Sequence, residues 1–346
     1  MRWLAFLLIL LASGCRPKSD SQRGGIPRNL CQYSKLLTIW RVEDGYAIEI
    51  QNPEHPKARF KFLLKKSFKR IAALSATHVG MMAALKQEHL LCAIPDKRYL
   101  HAPKVKKLLA KGSIIDLQSE QQLSVKKLLA KQTQALIYSG FGPEKAQIKR
   151  LSTLGITCIP NFEWRETHPL ARAEWILLFG ALTGQFEKAQ LHFRKVCQNY
   201  MRIRKQPKLC NTNPNVISGY IYGDQWIAPA GNSFESKLYA DVEFAYYFNE
   251  RPGTGSCFSS IPSILTKSAS VSIWLNPGQS SRSALLAQYP KYKYFPFFEK
   301  RIFCYTHNTN FYWEWAAVRP DWVLSDLSNI RDNPTADLHF YKELKL

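Results

Sequence analysis

The chain is short of acid. Its 346 residues carry 26 Asp and Glu against 48 Lys and Arg, a formal net charge of +22. From His55 to Leu85 there is no acidic residue, while Lys57, Arg59, Lys61, Lys65, Lys66, Lys69 and Arg70 fall in the same stretch. Other things are missing too. No run of about 18 apolar residues occurs, which excludes a spanning helix. No HExxH, GxSxG or Walker A string is present, so the zinc-protease, serine-hydrolase and P-loop signatures are absent. No CxxC or Cys/His cluster has zinc spacing. Ser, His and Asp occur, but no pattern assembles them into a catalytic constellation, and the chain reads as a non-enzyme. Glycine and proline, at 17 and 19, are ordinary, and the chain is 46% hydrophobic, which excludes a disordered or collagen-like polymer.

What is present begins with an address. Residues 1–15 read MRWLAFLLILLASGC, with Arg2 as a short basic start and an apolar run from Trp3 to Ala12. The small residues Ser13 and Gly14 then lead to Cys15. This is the shape of a lipoprotein signal, in which residues 1–14 are removed and Cys15 carries the lipid. The mature protein is then expected in the periplasm, tethered to a bacterial membrane by its lipid. Residues 15–35 follow as the lipidated cysteine and a polar linker. The other cysteines, Cys31, Cys92, Cys158, Cys197, Cys210, Cys257 and Cys304, are odd in number and scattered among apolar runs. That favours buried thiols over a disulfide framework.

Residues 36–66 alternate as strands do, with a Glu43-Asp44-Gly45 turn between LLTIWRV and YAIEIQN and a third strand at ARFKFLL. From 67 to 165, short apolar runs (RIAAL, LLCAI, QALIYSG, ITCIPNF) alternate with helical patterns, the signature of a parallel sheet with crossover helices. Residues 166–206 are helix-compatible nearly throughout, with Trp175, Leu178, Phe179 and Leu182 as an apolar stripe. Residues 207–346 resume the alternation. The predicted fold is α/β: two Rossmann-like lobes with parallel sheets, joined by a long backbone helix, behind an N-terminal β-hairpin extension. The string VKKLLAK occurs at 105–111 and at 125–131, which reads as two similar basic helices.

Two lobes on one helix behind a lipoprotein signal resemble the class III periplasmic binding proteins of ABC importers, in their Bacteroidetes-like branch. The strings that carry the resemblance are IAALSATH (71–78), ETHPLARAEWILLFGALTG (166–184), YGDQW (222–226), NTNFYWEW (308–315) and RPDWVLSDL (319–327). The resemblance implies a ligand held between the lobes: a ferric siderophore, haem or cobalamin, an iron or cobalt chelate carried as cargo with no intrinsic cofactor. It also implies an ABC permease and ATPase as partners. The family usually docks through an acid on each lobe. Here the matching stretches are PKVKKLLAKG and SSIPSIL, the latter with Pro262 and Ser263. That departure leaves a non-transport scaffold or surface lipoprotein as the alternative.

A chelate cleft wants flat aromatic walls with a few polar anchors. Candidates in predicted loops are Tyr99, Tyr138, Trp164, Trp226, Trp274 and Trp313, each of which reads equally as a packing aromatic. Arg165 suits a ligand carboxylate, or a hinge ion pair with Glu166. Asn232 and Ser233 stand where they can cap a helix or meet the ligand. His78, His101, His168 and His307 fall at loops. His78 and His168 are the candidates for metal ligation, which would make the chain a free-metal receptor. Basic charge fits nucleic acid, but an exported lipoprotein does not meet it, so nucleic acid is not expected as a partner. Anionic lipid beside the lipid anchor and an anionic ligand complex are the other two readings of the basic charge, most of which reads as a solvated face.

Overall fold

The computed structural model describes residues 28–118, 123–141, 146–207, 213–305, 311–333 and 335–345. The signal segment, Cys15, Cys210 and His307 lie outside them. The alternating N-terminal region is a three-stranded antiparallel sheet of β1 (Leu37–Val42), β2 (Gly45–Gln51) and β3 (Arg59–Leu64). Leu37, Ile39, Ile48 and Ile50 form its buried face.

The first lobe runs β4 (Ile71–Ala73), α1 (Ala76–Ala84), β5 (Leu91–Ile94), α2 (Pro103–Ala110), β6 (Ile115–Asp116), α3 (Val125–Ala130), β7 (Ala135–Tyr138), α4 (Ala146–Thr153) and β8 (Thr157–Pro160). Its five strands are all parallel, in the order β6-β5-β4-β7-β8. Strands β4, β5 and β7 are buried along their whole length, as a sheet covered on both faces requires.

The connection is where expectation and structure part. Residues 166–206 are three helices, not one: α5 (Pro169–Glu174), α6 (Ile176–Thr183) and α7 (Phe186–Lys205). Gly184, at φ 72°, closes α6 with a left-handed turn. Every residue of α6 is buried, so the predicted stripe does not exist; the helix is apolar on all sides because it lies inside the protein. Helix α7 is the amphipathic one. It buries Phe186, Ala189, Phe193, Val196, Tyr200 and Ile203. Tyr46 of β2 stacks on Phe186 at 4.3 Å, joining the N-terminal sheet to its start.

The second lobe runs β9 (Asn215–Ser218), β10 (Tyr220–Tyr222), β11 (Gln225–Pro229), α8 (Phe234–Asp241), β12 (Ala245–Tyr246), β13 (Ser256–Ser260), α9 (Ile261–Lys267), β14 (Ile273–Leu275), α10 (Arg282–Gln288), β15 (Arg301–Cys304), α11 (Tyr312–Trp315), α12 (Pro320–Asp332) and β16 (Lys342–Glu343). Its main sheet, β12-β9-β14-β15-β16, is parallel except for β16 at the edge. The run NVISGYIYG (215–223) splits at Gly219 between this sheet and a second, antiparallel sheet β10-β11-β13.

The second lobe is held against the connecting helices and the first lobe. Helix α12 lies along α7. Helix α11 of the second lobe packs on α1 of the first, and the approach is so close that any side chain at Gly80 would strike the Glu314 carbonyl. The Glu314 carboxylate accepts the His101 and Ala102 main-chain N–H groups at 2.7 and 3.1 Å, at the start of α2. Among the described residues Cys31, Cys92, Cys158, Cys197, Cys257 and Cys304 are free thiols, and no helix is long and apolar enough to cross a membrane.

Candidate ligand-binding cleft between the lobes

A cleft of about 590 Å³ opens between the lobes. Thr77, in the first turn of the helix after β4, Phe141 after β7 and Trp164 after β8 form the first-lobe wall. These loops follow the carboxyl ends of parallel strands, where doubly wound sheets bind ligands. The second-lobe wall comes from Ser218 at the end of β9 and Gly219 after it, Asn276 after β14, Tyr305 after β15 and the neighbouring antiparallel sheet. Arg172 of α5 and Phe234 and Glu235 of α8 lie at the floor, and Tyr312 and Trp313 of α11 close one side.

The floor is electrostatically organised. The Glu163 carboxylate is buried; it accepts from Thr77 Oγ1 at 2.8 Å and from Arg172 Nε at 2.7 Å. The Arg172 guanidinium also lies 4.0 Å from the Phe234 ring centroid. Burial opposes the arginine's charge, but Glu163 and Glu235 more than offset it and its pKa sits above the ordinary value. Burial pushes the Glu235 carboxyl up to about 7, against the opposing pull of Arg172. Tyr305 and Tyr312 stack face to face at 3.4 Å with 9° between planes, and burial raises both phenols, which stay neutral.

Of the aromatics singled out in the sequence, Trp164 and Trp313 line the cleft, from opposite lobes. Trp164 is held by its Nε1–H donating to Ser139 O at 2.8 Å, and Trp313 is 42% exposed. The others are elsewhere. Trp226 and Trp274 are fully buried, 5.6 Å apart, in a cluster with Tyr292 and Phe297. They act from behind: their indole N–H groups donate to Ser218 O at 2.9 Å and to Gly219 O at 2.8 Å, the main chain of the cleft wall. Tyr138 is a core residue of the first lobe, 6% exposed, because β7 is a central strand. Tyr99 is 40% exposed with the Arg98 guanidinium over its ring, away from the cleft lining.

The polar candidates also sort differently. Arg165 pairs with Glu54 at 3.0 Å and covers the outer face of Trp164, so it supports the wall rather than facing the cleft. Glu166 is not its ion-pair partner. Its carboxylate accepts from Ser34 Oγ, from the Lys35 and Leu36 N–H groups and from Trp175 Nε1, pinning the N-terminal segment. Ser233 is a buried cap, accepting from the Ser236 N–H at 3.1 Å; Asn232 is exposed and outside the lining. His78 is 1% exposed beside Phe179, and burial holds its pKa down at about 4. His168 caps α5, its Nδ1 accepting from the Leu170 N–H at 3.1 Å. A ring nitrogen spent as a cap acceptor and a ring sealed in the core do not converge on an ion, and no metal-holding group of His, Cys, Asp and Glu forms among the described residues. The lining residues the sequence did not single out include Phe141, Tyr305 and Tyr312 and, on the floor, Arg172 and Glu235. Arg172 is the one basic residue in the stretch PLARAEWILLFGAL, whose other charge is Glu174.

No protein-family model matches the chain. It is 26% identical over 275 residues to an uncharacterized lipoprotein of Methanocaldococcus jannaschii, covering 75% of this chain and 64% of that one. The chain thus spans just under two thirds of that relative's length. Among solved structures, a periplasmic heme-binding protein from Pseudomonas aeruginosa superposes with a TM-score of 0.58 and 16% identity, over 80% of this chain and 98% of that one. A protein of an ABC-type Fe3+-hydroxamate transport system from Saccharomonospora viridis gives 0.57 and 14%, over 81% and 97%. The chain has the periplasmic binding protein fold, in the helical-backbone form that the sequence resembles.

Proposed function

We propose that this chain is the substrate-binding lipoprotein of an ABC importer, tethered through Cys15 and holding an iron or cobalt chelate between its lobes without transforming it. The observation that carries this reading is the cleft itself. Two tryptophans from opposite lobes, Trp164 and Trp313, flank about 590 Å³ whose lining is largely aromatic and apolar. That size suits a ligand of several hundred daltons, and flat rings suit a flat or disc-like one. The lipoprotein name of the relative and the periplasmic setting of the structural neighbours support an extracytoplasmic location. The test is to mix the purified protein with a ferric siderophore, haemin and cobalamin and follow melting temperature. Ligand at about 100 times its Kd adds about 2.7 kcal/mol of stability. At least one chelate class should raise the melting temperature by several degrees; none doing so removes the reading.

One observation favours a second reading, a scaffold or surface lipoprotein with no transporter. On α2, Lys106 and Lys107 are exposed, Lys104 pairs with Glu88 at 3.0 Å, and the helix carries no acid. A permease with basic docking residues would be repelled there. Measurable binding to a permease encoded beside this gene would remove the second reading.

A further inference from the structure

The chain carries 48 Lys and Arg, yet few of the described ones reach the cleft. Among the described residues lining it, Arg172 is the one basic side chain, and its Nε is already committed to Glu163 at 2.7 Å. The other Glu163 oxygen is taken by Thr77 Oγ1 at 2.8 Å, so that carboxylate stays fixed beside the arginine. Glu235 is a second acid on the same floor. One cation against two carboxyl groups gives a floor that is neutral when Glu235 is protonated and negative when it is ionised. In neither state is it positive. The remaining polar lining, Ser218, Ser256, Thr254 and Asn276, is uncharged.

We infer that the Arg172–Glu163–Glu235 floor selects a chelate that is neutral or positively charged and rejects anionic ones. This rests on the cleft being the chelate site. In a ferric tris-hydroxamate the singly charged groups balance Fe(III) and the complex is neutral; corrinoids lie on the neutral or cationic side. Doubly charged catecholates leave a ferric complex strongly anionic, and haem carries two propionates. An anion buried here meets, among the described residues, one guanidinium whose charge Glu163 already balances, so its desolvation is poorly compensated. The positive field of the whole protein steers ligands at long range but is screened by salt, whereas the cleft contacts are not. The groups facing Glu235 are Arg172 from α5 and, from its own lobe, Tyr312 of α11, Tyr305 after β15, Tyr239 of α8, Tyr246 of β12 and Ser233; the tyrosines are held neutral by burial. Glu235 is therefore the group of this set that titrates near neutrality.

The experiment is a set of tryptophan-fluorescence titrations at physiological salt, on the whole protein and on Glu235→Gln. The probes are a neutral ferric tris-hydroxamate, cyanocobalamin, a ferric tris-catecholate and haemin, each at pH 6 and pH 8. The inference expects the hydroxamate or the corrinoid to bind at least about tenfold tighter than both anionic probes at pH 8. The margin should be severalfold smaller at pH 6, and in Glu235→Gln it should no longer change with pH. An anionic probe that binds as tightly as both neutral ones overturns the inference while leaving the chelate reading intact. A margin with the same pH dependence in Glu235→Gln also overturns it. Failure of every probe to bind removes the chelate reading itself, and the inference with it. The wild-type comparison stands even if the variant does not fold.

Discussion

The contact between lobes predicts a measurable loss when Glu314 is truncated. Its carboxylate, 1% exposed, accepts two main-chain N–H groups, from His101 and Ala102, across the gap between the second lobe and the start of α2 in the first. Hydrogen bonds to a charged group are worth about 1.5–3 kcal/mol each. Burial of Glu314 works against this, since desolvation raises its pKa. The net loss for Glu314→Ala is therefore set at about 2–3 kcal/mol, most of it the cost of leaving two buried donors unmet. Glu314→Gln keeps one acceptor and should lose roughly half as much. At about 2 cal/mol/K per residue, unfolding entropy for a chain this size converts that loss to a fall in Tm of about 3–4 °C for alanine and about 2 °C for glutamine. Differential scanning calorimetry reads both. A Glu314→Ala protein melting within about 1 °C of the wild type refutes the idea that this carboxylate couples the lobes. Gly80→Ala should be worse than either, because its methyl group has no space against the Glu314 carbonyl.

Further outcomes follow from other groups. His78 has a folded pKa of about 4 against an ordinary 6.5, so its contribution to stability is present above pH 6.5 and is lost as pH falls through 4. Glu235, raised from 4.5 to about 7, does the reverse, contributing below pH 4.5 and losing its contribution as pH rises through 7. Their effects, about 3 kcal/mol each at full extent, oppose one another between pH 5 and 7. Wild-type Tm should be nearly flat there, and Glu235→Gln should expose a fall towards acid; a fall of the same size in the wild type contradicts the pairing. Trp226→Phe removes the donor to Ser218 O and leaves a void, so it should cost about 2–3 kcal/mol by urea unfolding and weaken chelate binding without touching the ligand. Cys197 and Cys304, with thiols pushed up to about 12 by burial, should resist a thiol reagent at pH 8 until the chain is unfolded.

Much of the fold was legible, because the strands that matter are short, apolar and punctuated. IAA, LCAI and ALIY each stand alone between helical patterns, which leaves a parallel sheet as the economical reading. The connection was misread for a physical reason. Residues 166–206 are helix-compatible nearly throughout, and the breaks at Trp175 and Gly184 are local turns that flank the all-apolar run 175–182, where periodicity registers nothing. The small antiparallel sheet escaped because β10 has three residues and follows β9 after only Gly219. The site was half legible. A strand alternates its faces, so Trp226 and Ile227 point opposite ways, and nothing in YGDQWIAP says which parity meets the cleft. Ile227 lines it, and Trp226 is core. Trp164 and Trp313 were easier, since both sit outside regular strands where loops converge. Arg172 and Glu235 are on helices a long way apart in sequence, and only the tertiary fold sets them on one floor.

The most direct test of the account is an equilibrium titration of wild type and Trp164→Ala/Trp313→Ala with whichever iron or cobalt chelate stabilises the protein. Both rings are on the cleft wall and neither is in the core, so the double variant should fold with a near-normal Tm. The account predicts one-to-one binding by the wild type and a loss of affinity of at least about tenfold in the double variant, as expected for two aromatic walls. Undiminished affinity in the double variant, or no chelate bound by the wild type, would contradict it.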